Sequence, residues 1–295
     1  MAKAIDLADQ PLRSPGHSAG LLALFKWRYL LNLLVHKELR VRYRGSVLGM
    51  LWSYVKPAVQ LLVYYIAMGQ FLGLNRGIPS YVIYLFSGMV MVNLFNEIMS
   101  NTTRSIIFNA PLVSKIYLPR ELFPVSSVWV AFVHVVPQII VLAVGALLFS
   151  WRPGPISIVY GFAALVLISI AALGLGLMFA AFNVYFRDAE NFVELLMMIV
   201  IWISPVFYQW SMVAGVLPDW ALKLYLVNPI AMGVELSHAC FWMPTKGVIG
   251  PEGSAALHPD GWLGLVGISF VIAIAVLFVG QLVFHRLEGK FAQEL

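Results

Sequence analysis

Residues 153–186 read PGPISIVYGFAALVLISIAALGLGLMFAAFNVYF, a run without a single Asp, Glu, Lys or Arg. The run is continuously apolar rather than alternating. That suits a helix and not a barrel strand, because unsatisfied backbone in lipid costs several kcal/mol per group. Five more charge-free runs share the pattern: 57–75, 77–96, 122–151, 195–218 and 261–285, and every other gap is 12 residues or shorter. The shortest of the six has 19 residues. As a helix it reaches about 28 Å, close to the ~30 Å hydrocarbon thickness of a bilayer. The pattern predicts an all-α membrane protein with six transmembrane helices, at about 52–75, 79–100, 122–149, 155–182, 192–209 and 262–284. Composition agrees: of 295 residues 61% are hydrophobic and 11% charged, with mean hydropathy +0.85, far from an ordinary soluble domain.

The cations sort by side. Residues 1–51, 101–121, Arg187 and the tail with Arg286 and Lys290 hold fourteen Lys and Arg; the opposite side holds four, Arg76, Arg152, Lys223 and Lys246. Counting only Lys37, Arg40, Arg42 and Arg44 from the first segment still leaves ten against four. The positive-inside rule therefore places both termini in the cytoplasm. The cationic segment is too long for the start of a cleavable signal peptide. A net charge of +5 segregated by topology argues against nucleic acid as a partner. The single cysteine, Cys240, has no pairing or ligand partner in the sequence and reads as a small buried residue.

Residues 1–20 read as a flexible cytoplasmic amino terminus, 21–285 as a single transmembrane domain and 286–295 as a cytoplasmic tail. Within 21–44, Lys26, Lys37, Arg40 and Arg44 fall in an arc of about 60° at 100° per residue, while Leu24, Trp27, Leu31, Leu34 and Val35 supply an apolar side. This segment reads as an amphipathic helix lying in the interface, where its cations meet membrane lipids or the phosphates of an amphiphilic substrate. The connection NTTRSIIFNAPLVSKIYLPRE, residues 101–121, is too apolar for a mere linker. A short amphipathic helix between Pro111 and Pro119 fits it, serving as a docking element for a cytosolic partner. On the outside, 209–260 forms one long excursion. Its apolar runs 224–234 and 236–245, interrupted by Asn228-Pro229 and Glu235, are too short to span and read as short re-entrant or interfacial helices between spans five and six. The following PTKGVIGPEGSAALHPDG reads as an exposed loop.

Enzyme motifs are missing. The sequence contains no GxxxxGK[ST], HExxH or GxSxG. Asp188 and Glu190 in FNVYFRDAEN form a DxE pattern that would suit a metal-bound sugar nucleotide, although a charged helix start explains it equally. His134 reads as a helix-packing residue, and Glu97 and Glu194 lie near span ends, which gives an ion-coupled mechanism little support.

KELRVRYRGSVLGMLWSYVKP (37–57), NAPLVSKIYLPRELFPV (109–125), FRDAEN (186–191), and SPVFY (204–208) with LYLVNPIAMGVE (224–235) occur in that order. Together they resemble the membrane subunits of ABC transporters that export O-antigen, capsule, teichoic acid and related glycans. The resemblance implies a permease without enzymatic activity or a cofactor of its own. It implies a dimer with a second copy, bound to two ABC ATP-binding subunits that carry ATP and Mg, in the bacterial inner membrane. It also implies a gate helix before span one and a coupling helix after span two, with Arg104, Asn109, Leu112, Lys115, Tyr117 and Arg120 as the coupling residues. The Gly/Pro-rich insert near 244–260 and SHACFW depart from the family pattern, so the glycan stays open.

A lipid-linked glycan carries a pyrophosphate and a long hydrated chain. Arg40, Arg42, Tyr43 and Arg44 suit a cationic entrance for it. Aromatic faces suit a corridor because they contact sugar C–H surfaces. Tyr64, Tyr65, Trp129, Phe132, Trp202 and Tyr208 are the candidates, whereas Trp52, Trp151, Trp210, Trp220, Trp242 and Trp262 lie near span ends as an interfacial belt. Two other readings are a membrane glycosyltransferase using Asp188 and Glu190, and an ion-coupled flippase.

Overall fold

The computed structural model describes residues 20–115, 118–248 and 258–295. The expected flexible segment 1–20, apart from Gly20, therefore lies outside the described residues, as do Tyr117 and 249–257 of the Gly/Pro-rich insert. The structure is 81% helical and the described residues contain no strand, as six apolar runs without alternation require.

A 3-10 stretch, Leu21–Trp27, leads into α1 (Arg28–Tyr43), so the amino-terminal segment is helical up to Tyr43, and Arg44 leaves it with extended backbone. Leu34 and Val35 are buried and Arg40, Arg42 and Arg44 are exposed, while Trp27, expected on the apolar side, is exposed as well. Helix α2 (Trp52–Tyr64) continues as a π-helical stretch, Tyr65–Phe71. There follow α3 (Tyr81–Phe108), α4 (Ala110–Lys115), α5 (Leu122–Leu148), α6 (Pro155–Tyr185) and α7 (Ala189–Ile203). The remainder comprises α8 (Trp210–Ala214), α9 (Asp219–Leu226), α10 (Pro229–Phe241), α11 (Trp262–Leu287) and a last turn, α12 (Phe291–Glu294).

Four of these helices, α3, α5, α6 and α11, are long and apolar enough to cross a membrane. Their packing is the reverse of a water-soluble bundle. The most apolar 18-residue window of α3 has mean hydropathy 1.5 and is 78% buried; that of α11 has 2.7 and is 17% buried. Helix α3 forms the axis, packed by α5, α6, α7 and α10, with α11 on the far side of α6. Polar groups turned inward and apolar ones outward are what a lipid solvent selects. Helices α6 and α11 meet backbone to backbone: a Cβ on Gly174 would lie 2.6 Å from the Leu277 backbone, and one on Gly280 would fall on the Gly174 carbonyl. Small residues are what allow such an approach between helices in lipid.

Three expected spans differ in extent. Helix α3 runs on to Phe108 rather than ending near 100, so the first eight residues of the expected 101–121 connection are helical. Residues 52–71 are helical but pass from α to π geometry at Tyr65. Helix α7 has 15 residues and stops at Ile203, before the expected 209, because Pro205 drives Ser204 into extended backbone. The irregular stretch that follows is served by α3. The Tyr81 hydroxyl donates to the Phe207 carbonyl at 3.1 Å, and the Tyr84 hydroxyl lies 2.9 Å from the Pro205 carbonyl and 2.6 Å from that of Tyr208. Non-helical backbone at membrane depth persists only with such partners.

The excursion after α7 corrects the sequence reading at one point. The break at Asn228-Pro229 is real, with the Asn228 side chain accepting from the Ile230 amide at 3.0 Å. No break occurs at Glu235. Helix α10 runs straight through it, with Ala231 to Phe241 buried. A charge ends a charge-free run, but glutamate is a good helix former and ends nothing in the backbone. The Trp242 indole donates to the Pro79 carbonyl at 2.7 Å and the Trp151 indole to that of Cys240 at 2.8 Å, pinning α10 to the turns before α3 and α6. Cys240 is free and buried.

At the opposite end, a second core joins Leu34, Ile106, Val113, Phe123, Phe284 and Phe291, drawn from α1, α3, α4, α5, α11 and α12. The expected amphipathic helix between Pro111 and Pro119 begins earlier, at Ala110, and its described residues are Ala110–Lys115, with Pro111 in its first turn.

Candidate functional site

Helix α3 carries Asn93, Asn96, Glu97, Ser100, Asn101 and Arg104, which recur with helical periodicity and so share one face. The first four line a cleft of about 980 Å³ bounded by α2, α3, α5, α7 and the turn after α1. One part of the cleft is polar, with Arg42, Tyr43, Lys56, Glu97, His134 and Gln138; the other is aromatic and apolar, with Tyr64, Met197, Ile201 and Trp202. Phe207, 2% exposed, supports the aromatic part from beneath, its ring 5.0 Å from those of both Tyr64 and Trp202.

The polar part is organised around one carboxylate oxygen. Glu97 Oε1 accepts from Arg42 Nη1 at 2.5 Å and from Asn101 Nδ2 at 2.9 Å, and lies 3.1 Å from His134 Nδ1. That ring nitrogen is also 3.0 Å from Arg42 Nη1, while Nε2 is 3.2 Å from the Tyr43 hydroxyl. One imidazole nitrogen either donates to Glu97 or accepts from Arg42, so the tautomer decides which bond forms. Gln138, one turn along α5, donates to the His134 carbonyl and accepts from Asn93. Asn96 Oδ1 is buried and has no hydrogen-bond partner among the described residues. The network joins α1, α3 and α5 through side chains alone.

Below it, Arg104 Nε lies 2.6 Å from Glu190 and Nη2 2.7 Å from Glu194, clamping the end of α3 to the start of α7. Glu190 is therefore the partner of a cation, and the DxE pattern reads as a helix start. Among the described residues no three His, Cys, Asp or Glu side chains come together as a metal-binding group.

Of the sequence-derived entrance residues, Arg42 and Tyr43 line the cleft, whereas Arg40 and Arg44 are exposed and outside its lining. Of the corridor residues, Tyr64 and Trp202 line it; Tyr65, Trp129, Phe132 and Tyr208 do not. Trp129 is 55% exposed on the outer face of α5. Tyr65 accepts from Gln70 at 3.0 Å, Phe132 packs on the main core, and the Tyr208 hydroxyl donates to the Trp202 carbonyl at 2.6 Å. Among the coupling residues, Lys115 is exposed and Leu112 half-buried. Asn109 is buried, donates to the Ser105 carbonyl and accepts from Lys37 Nζ at 2.5 Å. The Arg120 guanidinium stands 5.7 Å over the Phe291 ring. Glu97, His134, Asn93, Asn96 and Gln138 were not singled out as site residues from the sequence. The signal was the polar stripe at helical spacing within a span, which charge-free runs do not record.

Fold and cleft together define a polytopic membrane protein that shelters an ion-paired, partly aromatic cleft among its helices. Residues 29–242 match the ABC-2 type transporter family, and the chain belongs to that family. It is 29% identical over 271 residues to an O-antigen export system permease protein RfbA of Klebsiella pneumoniae, covering 90% of this chain and 96% of the relative. To the RfbA of Myxococcus xanthus it is 31% identical over 222 residues, 74% of this chain and 82% of that one. The polysialic acid transport protein KpsM of Escherichia coli is 23% identical over 207 residues, 68% and 76% of the two chains.

Proposed function

We propose that the chain is the permease subunit of an ATP-driven exporter that carries a lipid-linked polysaccharide outward across the bacterial inner membrane. The cargo would be of O-antigen, teichoic acid, capsule or cell-wall galactan type. The observation that carries this reading is the cleft: a cation at one end, Arg42, and sugar-compatible rings, Tyr64 and Trp202, at the other. A diphosphate bridging a lipid and a glycan requires both chemistries along one path.

In this reading α2 with its π-helical extension and α7 complete six spans with α3, α5, α6 and α11. Both termini are cytoplasmic, residues 21–285 form one transmembrane domain, and α1 lies in the interface among membrane lipids. Helices α8 to α10 cap the outer side as re-entrant elements. Helix α4, with Leu112, Lys115, Tyr117 and Arg120, is the coupling surface for two copies of an ABC ATP-binding subunit, while buried Asn109 and ion-paired Arg104 hold it to the rest of the chain from within. ATP and Mg belong to that partner, and this chain is a transport subunit with no cofactor. A second copy completes the conduit by twofold symmetry, the commonest closed arrangement. Arg40 and Arg44 gather anionic headgroups at the surface, and Arg42 receives the diphosphate inside.

The test is reconstitution with the ATP-binding partner in vesicles holding a lipid-linked glycan. Export should require the partner and ATP, and Arg42→Gln should abolish it while the complex still assembles. ATP hydrolysis by the purified chain alone, or export that collapses with an uncoupler while ATP persists, would overturn the reading.

A further inference from the structure

We propose that Arg42, His134 and Asn101 form an oxyanion seat in which Glu97 is a resident stand-in, displaced when the diphosphate of a lipid-linked substrate arrives. The inference rests on the cleft being the substrate path and deepens that reading.

Glu97 presents a single oxygen to two donors, Arg42 Nη1 at 2.5 Å and Asn101 Nδ2 at 2.9 Å, and to His134 Nδ1 at 3.1 Å, which joins them in the tautomer that carries its proton there. A second Arg42 nitrogen, Nη2, reaches Asn101 Oδ1 at 3.5 Å. A group of donors converging on one carboxylate oxygen, drawn from α1's last turn, α3 and α5, is what holds any oxyanion. The cleft that surrounds it also contains Lys56 and Tyr43. Phosphate oxygens fit the same donors, and a diphosphate diester brings two charges where the carboxylate brings one. Arg42 remains 38% exposed, so an incoming anion can reach it without the fold opening.

The stand-in has a purpose that follows from where the seat lies. A cationic site at a membrane surface faces singly charged phospholipid headgroups in great excess, and these would fill an unguarded arginine. A tethered carboxylate competes at a high effective concentration and lowers the apparent affinity of every external anion by the same factor. Singly charged headgroups then fall below occupancy. A doubly charged diphosphate, whose intrinsic attraction to the seat is larger, stays above it. Once the substrate moves on, Glu97 returns to Arg42 and the seat is closed again.

The experiment places the full chain in phosphatidylcholine nanodiscs and titrates two probes, farnesyl diphosphoryl glucose and farnesyl phosphoryl glucose. Glu97→Gln should tighten both by a common factor of about tenfold or more, and phosphatidylglycerol should become a competitor for the variant but not for the wild type. Arg42→Gln should lose both probes, and His134→Phe should weaken them. A gain in affinity cannot come from misfolding. Unchanged or weaker binding by Glu97→Gln would sink the stand-in and leave the proposed function intact. Failure of the wild type and Glu97→Gln alike to bind the diphosphoryl probe would overturn both.

Discussion

Gly280 and Gly174 show how much a single atom decides in this fold. A Cβ at Gly280 would sit on the Gly174 carbonyl, and backbone has no rotamer with which to yield. Gly280→Ala must therefore push α11 off α6, an overpacking cost of about 1–3 kcal/mol. Gly264 and Gly267 lie in the same helix with nothing within 4 Å of a Cβ. Thermal unfolding in detergent should show a lower midpoint for Gly280→Ala and none for Gly264→Ala, where alanine's helix preference favours the variant. Equal losses at both positions would mean that the close approach is not what those glycines serve. This pairing was not legible in the sequence, because it joins residues 106 positions apart and each glycine alone looks like any other. Arg42, Tyr43, Tyr64 and Trp202 were legible by chemistry. Arg40 and Arg44 share that chemistry, but Arg40 lies about 200° round α1 from Arg42 and Arg44 follows the helix in extended backbone, so neither lines the cleft.

At the level of helices, the sequence marks where lipid-facing character begins more faithfully than where backbone turns. The end of α7 was foreseen six residues too late, since Ser204-Pro205 was read as part of an apolar run. The broken stretch depends on Tyr84, which is 1% exposed and whose one hydroxyl hydrogen lies within reach of two of its carbonyls. Tyr84→Phe keeps the ring and removes the hydroxyl, leaving a buried acceptor unpaired at about 1–3 kcal/mol. The expected outcome is faster amide exchange across 204–208 with α5 unchanged; full retention of protection there would show that the tyrosine only packs. The tail behaves in the same way at the other end. Residues 286–295 read as a cytoplasmic tail; within it Phe291 is fully buried, its ring 5.4 Å from Phe284 and 6.3 Å from Tyr185. Helix α12 packs on α4. Phe291→Ala should cost about 3–5 kcal/mol locally and raise amide exchange in α4 while α10 stays protected. Exchange unchanged in α4 would detach the tail from that helix.

For the whole molecule, burial and charge are independent arguments for the same solvent. The least apolar long helix, α3, is the most buried, and the most apolar, α11, is the least. The orientation proposed from the charge count can be checked against chemistry that the protein itself permits. Cys240 is the only cysteine and is 5% exposed, so a cysteine placed elsewhere reports without a competing thiol. Arg76, Ser114 and Lys223 are all exposed. In intact spheroplasts a membrane-impermeant maleimide should label Arg76→Cys and Lys223→Cys, and should label Ser114→Cys only after permeabilisation. Replacing Arg76 or Lys223 removes a cation from the poorer side, so these substitutions reinforce the orientation they test. Labelling of Ser114→Cys from outside would place α4 where no cytosolic motor can reach it. The cleft would then open toward the wrong compartment for a substrate made in the cytoplasm, and the proposed export would fail with it.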